Sequence, residues 1–232
     1  MVVYMDFGNM LNDSFEYTKE AVVGKWMQWL LLVVATVLLC LPLFGYTLKV
    51  YRGEKPAPEV TGWGTLFVDG IKYVIVSLVW AIPLIVLLIA LIVAAFVPFS
   101  SVITVSGSAS PSPSGNPALL LGALGFYLIV IIIVAFLTMF FSTIGIIRFA
   151  RTGSMGEAFN ISEILTTIRK IGWVPYISSL VVLLVAVIVI EIVLTLLGMI
   201  PVLGIIINLV LFAPVMIFEA RYLCQVYDAA GA

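Results

Sequence analysis

The chain has 232 residues, of which 63% are hydrophobic and 10% charged, with a formal net charge of -1 and no histidine; its mean hydropathy is +1.27. A soluble domain carries about 25% charged residues, so this composition excludes a soluble fold, and the near-neutral balance without a basic block gives no reason to expect a nucleic-acid partner. The two cysteines, Cys40 and Cys224, fall inside an apolar run and near the end of another, which implies neither an extracellular disulfide framework nor a zinc site.

The N-terminal 25 residues, "MVVYMDFGNMLNDSFEYTKEAVVGK", lack a basic segment followed by a short apolar core, so no cleavable leader is expected and the first span should direct insertion. Within them Phe7, Met10, Leu11, Phe15, Thr18 and Val22 repeat at helical spacing, which predicts an amphipathic segment in the headgroup plane. Apolar runs then predict five spans, at about 26–48, 71–97, 118–147, 174–198 and 202–222, because roughly 20 apolar residues cross a bilayer core. The alternation of a transmembrane barrel is absent, and helices satisfy their own backbone in lipid. The fold class expected is all-α: a polytopic transmembrane bundle of about five spans with two or three interfacial amphipathic segments.

Between the first and second spans, "EVTGWGTLFVDGI" places Trp63, Leu66 and Phe67 where a short interfacial segment would bury them. Asp69 precedes Gly70 at the expected start of the second span, where it can cap the helix and favour its positive end. After that span, residues 98–117 form an uncharged Ser-, Pro- and Gly-rich stretch, "PFSSVITVSGSASPSPSGNP", expected to be a mobile external loop. Small residues four apart, Ala90 with Ala94 and Ala118 with Gly122, predict close helix approach or subunit contact near the outer ends of the second and third spans.

A second amphipathic helix is expected over 154–171, from Ala158, Ile161, Leu165 and Ile168 and from a capping box in "SMGE", Ser154 with Glu157. The basic pairs Arg148 with Arg151 and Arg169 with Lys170 flank it and suit topology setting or contact with anionic lipid headgroups. "EAVVGKWMQWLLLV" and "TTIRKIGWVPYISSLVVLL" share a basic–Gly–Trp entry into a span, a weak sign of an internal repeat that interfacial anchoring also produces.

Lysines and arginines of the first and third loops and Arg221 fall on one side of the five-span topology, while Lys19 and Lys25 fall on the other. The positive-inside rule then predicts a multi-pass protein of the cell membrane with its N-terminus outside and C-terminus in the cytoplasm. A re-entrant first segment would instead place the two tail lysines inside. Residues 223–232 are read as a short tail.

The fourth span carries one charge, Glu191. Counting about 1.5 Å per residue from Pro175 puts it roughly 24 Å along the helix, and the turn around Pro201 returns Asn208 to similar depth. An ionised, lipid-facing glutamate is costly, so a protonated Glu191 bonded to Asn208, or to Tyr127 of the third span, is expected. No nucleophile elbow, phosphate loop or pair of carboxylates within one span is present, so the chain is expected to be non-enzymatic, without metal or cofactor.

"GYTLKVYRGEKPAPEVTGWGTLFVDGIKYVIVSLVWAIP" and "RFARTGSMGEAFNISEI" resemble the family called domain of unknown function 4013, a group of archaeal and some bacterial membrane proteins. The resemblance rests on Gly45 and Tyr46, Arg52 and Gly53, Pro58, Phe67, Asp69 and Gly70, Ile82 and Pro83, then Gly153, Ser154, Ala158 and Phe159. It implies an integral membrane protein and supplies no activity. The function expected is a scaffold, membrane organiser or subunit of a membrane complex, in contact with lipid and as a homo-oligomer or with a membrane-protein partner. The alternative is a channel or transporter for a small ion or solute that uses Glu191 and Asn208.

Overall fold

The computed structural model describes residues 5–104, 117–200 and 202–231. Among them the chain is helical without strands: α1 Phe7–Val22, α2 Trp26–Val37, α3 Leu41–Tyr51, α4 Trp63–Thr104, α5 Pro117–Thr152, a 3-10 turn Met155–Phe159, α6 Ile161–Ile171, α7 Trp173–Gly198 and α8 Leu203–Asp228. Four stretches are long and apolar enough to cross a membrane, Trp63–Val93, Leu124–Thr152, Trp173–Gly198 and Leu203–Asp228, and α1 with α2, bent by 98°, passes the same test only as a pair, with the geometry of a broken span or a re-entrant loop. The all-helical membrane fold read from the apolar runs is therefore present.

The segment 26–48 is not one helix. It breaks at residues 38–40, where Leu39 and Cys40 take left-handed φ values of 57° and 58°, and Pro42 opens α3 in its first turn, a position that tolerates the missing N–H. A straight helix would set Gln28 and Tyr46 roughly 27 Å apart. Instead the Gln28 carboxamide and the Tyr46 hydroxyl both donate to the carbonyl oxygen of Pro58, at 3.0 and 2.9 Å. The chain has folded back on itself.

The two ends of the chain also meet. Arg221, near the C-terminal end of α8, donates through Nε and an Nη to one carboxylate oxygen of Asp13 at 2.8 and 2.6 Å, and Gln225 donates to the Met10 carbonyl and Ser14 hydroxyl of α1. Tyr17 donates to the carbonyl of Glu54 after α3.

The chain divides into two compact units, Met1–Val76 with Thr143–Ala232, and Ser77–Ser142. In the first, α1 buries Met10, Ser14, Tyr17, Ala21 and Val22, one face at helical spacing, and packs on α8. Its N-terminus is capped by Asp6, whose carboxylate accepts from the Asn9 amide at 3.0 Å. The core contains Tyr46, Tyr176, Tyr222, Leu43, Leu66, Ile144, Ile164 and Ile168. In the second unit, Ile85, Ile89, Ile92, Leu128, Ile132 and Phe136 stay exposed, as lipid-facing side chains of spans do.

Several boundaries move. α4 begins at Trp63, so the expected interfacial segment is its first turns, and Asp69 lies inside the helix, paired with Arg52 at 2.7 Å and Lys72 at 3.5 Å rather than capping it. α4 also runs to Thr104, through the first part of the expected loop at 98–117, and residues 105–116 lie outside the described residues, as does Pro201. The expected helix over 154–171 divides at Asn160, which caps α6 by accepting from the Glu163 amide at 3.3 Å. Ser154 makes no side-chain capping bond: the Glu157 amide donates to the Ser154 backbone carbonyl at 3.2 Å, and the Glu157 carboxylate turns to Arg148 instead of reaching back. The supposed tail continues α8 to Asp228, with Cys224, Val226 and Tyr227 buried.

Candidate functional site

Close helix approaches in the first unit rest on glycines. A Cβ on Gly45 would overlap the backbone carbonyl of Leu66, and one on Gly70 that of Leu41, so α3 and α4 cross antiparallel at two matched positions. A Cβ on Gly145 would likewise overlap the carbonyl of Ala158. Among the described residues nothing approaches Gly122, where an added Cβ meets open space, and Ala90 is exposed. The side chains of Ala94 and Ala118 lie outside the described residues.

α7 and α8 pack as neighbours and are joined at their tight turn, where Gly204 meets the backbone of Gly198. Beside this hairpin is a cavity of about 430 Å³ lined by Phe44, Glu191, Leu194, Asn208, Phe212, Val215, Met216 and Glu219. Asn208, Phe212, Val215 and Glu219 stand at i, i+4, i+7 and i+11, a single face of α8. Glu191 and Leu194 bring α7 to the same space, and Phe44 comes from α3.

The cavity holds Glu191 and Asn208 together, as expected, but not as bonded partners. Asn208 Nδ2 donates to the carbonyls of Gly204 at 2.9 Å and Leu194 at 3.4 Å, so its amide ties the two helices through backbone. The Tyr127 hydroxyl is also engaged elsewhere, donating to the carbonyl of Leu87. Glu191 is exposed and Glu219 half-buried, and neither carboxylate has a hydrogen-bond or ion-pair partner among the described residues.

Glu219 is the residue that sequence reasoning missed. It follows Phe218, one position past the uncharged run, and so reads as an end-of-span charge. The available signal was its helical register with Asn208. Two carboxylates facing one cavity in a weakly polar setting, with no Lys or Arg lining it, repel each other when both are ionised. A proton taken up by either carboxyl, or a cation in the cavity, relieves that repulsion. No group of three or more His, Cys, Asp or Glu able to hold a metal occurs among the described residues.

The flanking cations divide into two groups. Arg148 pairs with Glu157 at 2.5 Å and Glu163 at 3.7 Å. Arg151 pairs with Asp228 and donates to the Tyr51 carbonyl at 2.7 Å. Both serve the fold. The Glu157 carboxyl is held below its ordinary range by hydrogen bonds from Arg148 and then Asn160. Arg169 and Lys170, in the last turn of α6, are exposed.

No curated protein and no solved structure matches this chain. The family model described as protein of unknown function (DUF4013) matches residues 29–199, a span that includes the α3–α4 glycine crossing and Glu191, and the chain belongs to the DUF4013 family.

Proposed function

We propose that this membrane protein is non-enzymatic and passes a proton or a small monovalent cation through the cavity bounded by Glu191 and Glu219. The observation that carries the reading is the meeting of two unpaired carboxylates and a carboxamide, from two apolar helices, in one space without a basic neighbour. Ionisable groups within membrane helices are expensive and are retained where ions or protons move. Pro214 adds support, since it interrupts the α8 ladder inside the same span.

Reconstitution in vesicles tests it. An imposed pH or cation gradient should dissipate faster with the protein than without it, and Glu191→Gln with Glu219→Gln together should return the rate to that of empty vesicles. A wild-type rate in the folded double variant would remove the cavity from the mechanism.

A topology accompanies this proposal. With α2–α3 folded back and α4, α5, α7 and α8 crossing, an even number of crossings leaves both termini on one side. All 11 Lys and Arg residues of the chain then lie at that side, which the positive-inside rule assigns to the cytoplasm.

A second reading, a scaffold or subunit of a membrane complex, draws support from α2. Its Trp26, Met27, Leu30, Val34 and Val37 are exposed on a helix of 12 residues, about 18 Å long and too short to cross alone. A stable homo-oligomer or co-purifying membrane partner after mild extraction is the expected result of that reading, and a monomer at native abundance counts against it.

A further inference from the structure

From the cation pair at the α6–α7 junction we infer a binding site for an anionic phospholipid, its phosphate held by Arg169 and Lys170 and its acyl chains laid along α7. This site is separate from the acid cavity and independent of the proposed transport.

Most of the other cations are already answered within the fold. Arg52 and Lys72 meet Asp69, Lys55 and Arg221 meet Asp13, Arg148 meets Glu157 and Glu163, Arg151 meets Asp228, and Lys19 meets Glu16. Lys49 donates to the carbonyls of Glu59 and Thr61. Among the described residues, Arg169, Lys170 and Lys25 alone have no such anion or carbonyl, and only the first two are adjacent.

Their exposure is imposed by the helix that carries them. α6 buries Ile164, Thr167, Ile168 and Ile171, so positions 169 and 170 are turned to the opposite face. Gly172, at a φ of 97°, then redirects the chain into α7. There Val174, Ile177, Val181, Leu184 and Ile188 are all exposed, at alternating steps of three and four, an aliphatic stripe on one helix face that starts beside the cation pair. A phosphate paired with two cations and continuous with hydrocarbon fits this order of groups. A soluble phosphate would engage the cations alone, whereas a phospholipid engages both the cations and the lipid-facing stripe that follows them.

The test uses the full chain in vesicles of mixed phosphatidylglycerol and phosphatidylcholine, followed by mild detergent extraction and mass measurement of the retained lipid. Wild type should retain phosphatidylglycerol preferentially. Arg169→Gln with Lys170→Gln should lower that preference roughly ten- to thirtyfold, the effect of about 1 kcal/mol per basic residue near an anionic surface. Lys25→Gln should leave it unchanged, and Arg169→Lys with Lys170→Arg should retain most of it, which separates charge loss from misfolding. Equal enrichment in wild type and the charge-neutral double variant overturns the site. Displacement of the lipid by millimolar inorganic phosphate overturns the lipid assignment in favour of a free-phosphate site.

Discussion

Trp29 donates its indole N–H to the carbonyl oxygen of Val210 at 3.0 Å. That carbonyl is the one Pro214 leaves without a helical donor, because proline has no N–H to return to the residue four before it. The α2 helix thus repairs a break in α8 from outside, and its place against that helix is fixed by a specific bond as well as by apolar packing. Trp29→Phe should therefore lower stability by about 1–2 kcal/mol, measured by unfolding in detergent. In a Pro214→Ala background, where the substituted residue regains a backbone N–H and supplies the donor, the same substitution should cost much less. Equal costs in both backgrounds would mean that the indole contributes through packing alone.

The glycine crossing between α3 and α4 makes a sharper demand. At Gly45 and Gly70 the obstacle to a Cβ is backbone of the opposite helix, which cannot rotate away as a side chain does. Gly45→Ala and Gly70→Ala should each destabilise by about 1–3 kcal/mol through forced separation of the helices. Gly122→Ala, with open space around its Cβ, should be neutral or slightly stabilising. Matching melting temperatures for all three variants would contradict the crossing.

Membrane sidedness can be read chemically. Single cysteines introduced at Met5 and Ala230, in a background with Cys40 and Cys224 replaced by serine, should both react with an impermeant thiol reagent only in inside-out vesicles. Labelling of position 5 from the opposite side to position 230 would restore the opposed termini and reject the folded-back first segment.

Acid should loosen the connection between α5 and α6. Because the Glu157 carboxyl is held below its ordinary range by the Arg148 hydrogen bond, the stabilising contribution of this contact is present above the unfolded carboxylate value of about 4.3. It is lost as pH falls through the lower folded value. Amide protection in residues 153–171, corrected for the intrinsic exchange rate at each pH, should fall over that acid window in wild type, and Glu157→Gln should show the lower protection already at neutral pH. An acid response that persists unchanged in Glu157→Gln would assign it to another group.

The placement of helices is largely legible in the sequence, since uncharged runs such as that between Lys72 and Arg148 leave a bilayer chain few alternatives to helix. Register is partly legible. The face of α8 holding Asn208 and Glu219 follows from a period of 3.6, yet Glu219 escapes notice because a charge just after an apolar run resembles a span end. The cap of α6 is misread for a related reason: "SMGE" satisfies a local pattern, but Glu157 finds a stronger partner in Arg148, which the pattern does not contain.

That this is a helical membrane protein follows from hydrophobicity and periodicity, which are properties of one segment at a time. Helix packing sets the rest: the segment at 26–48 returns on itself, Asp13 meets Arg221, Glu219 lines one cavity with Glu191, and Arg169 and Lys170 keep an unanswered charge among the described residues. Those outcomes depend on which helices become neighbours, and two left-handed residues at 39 and 40 change the neighbours of everything before them.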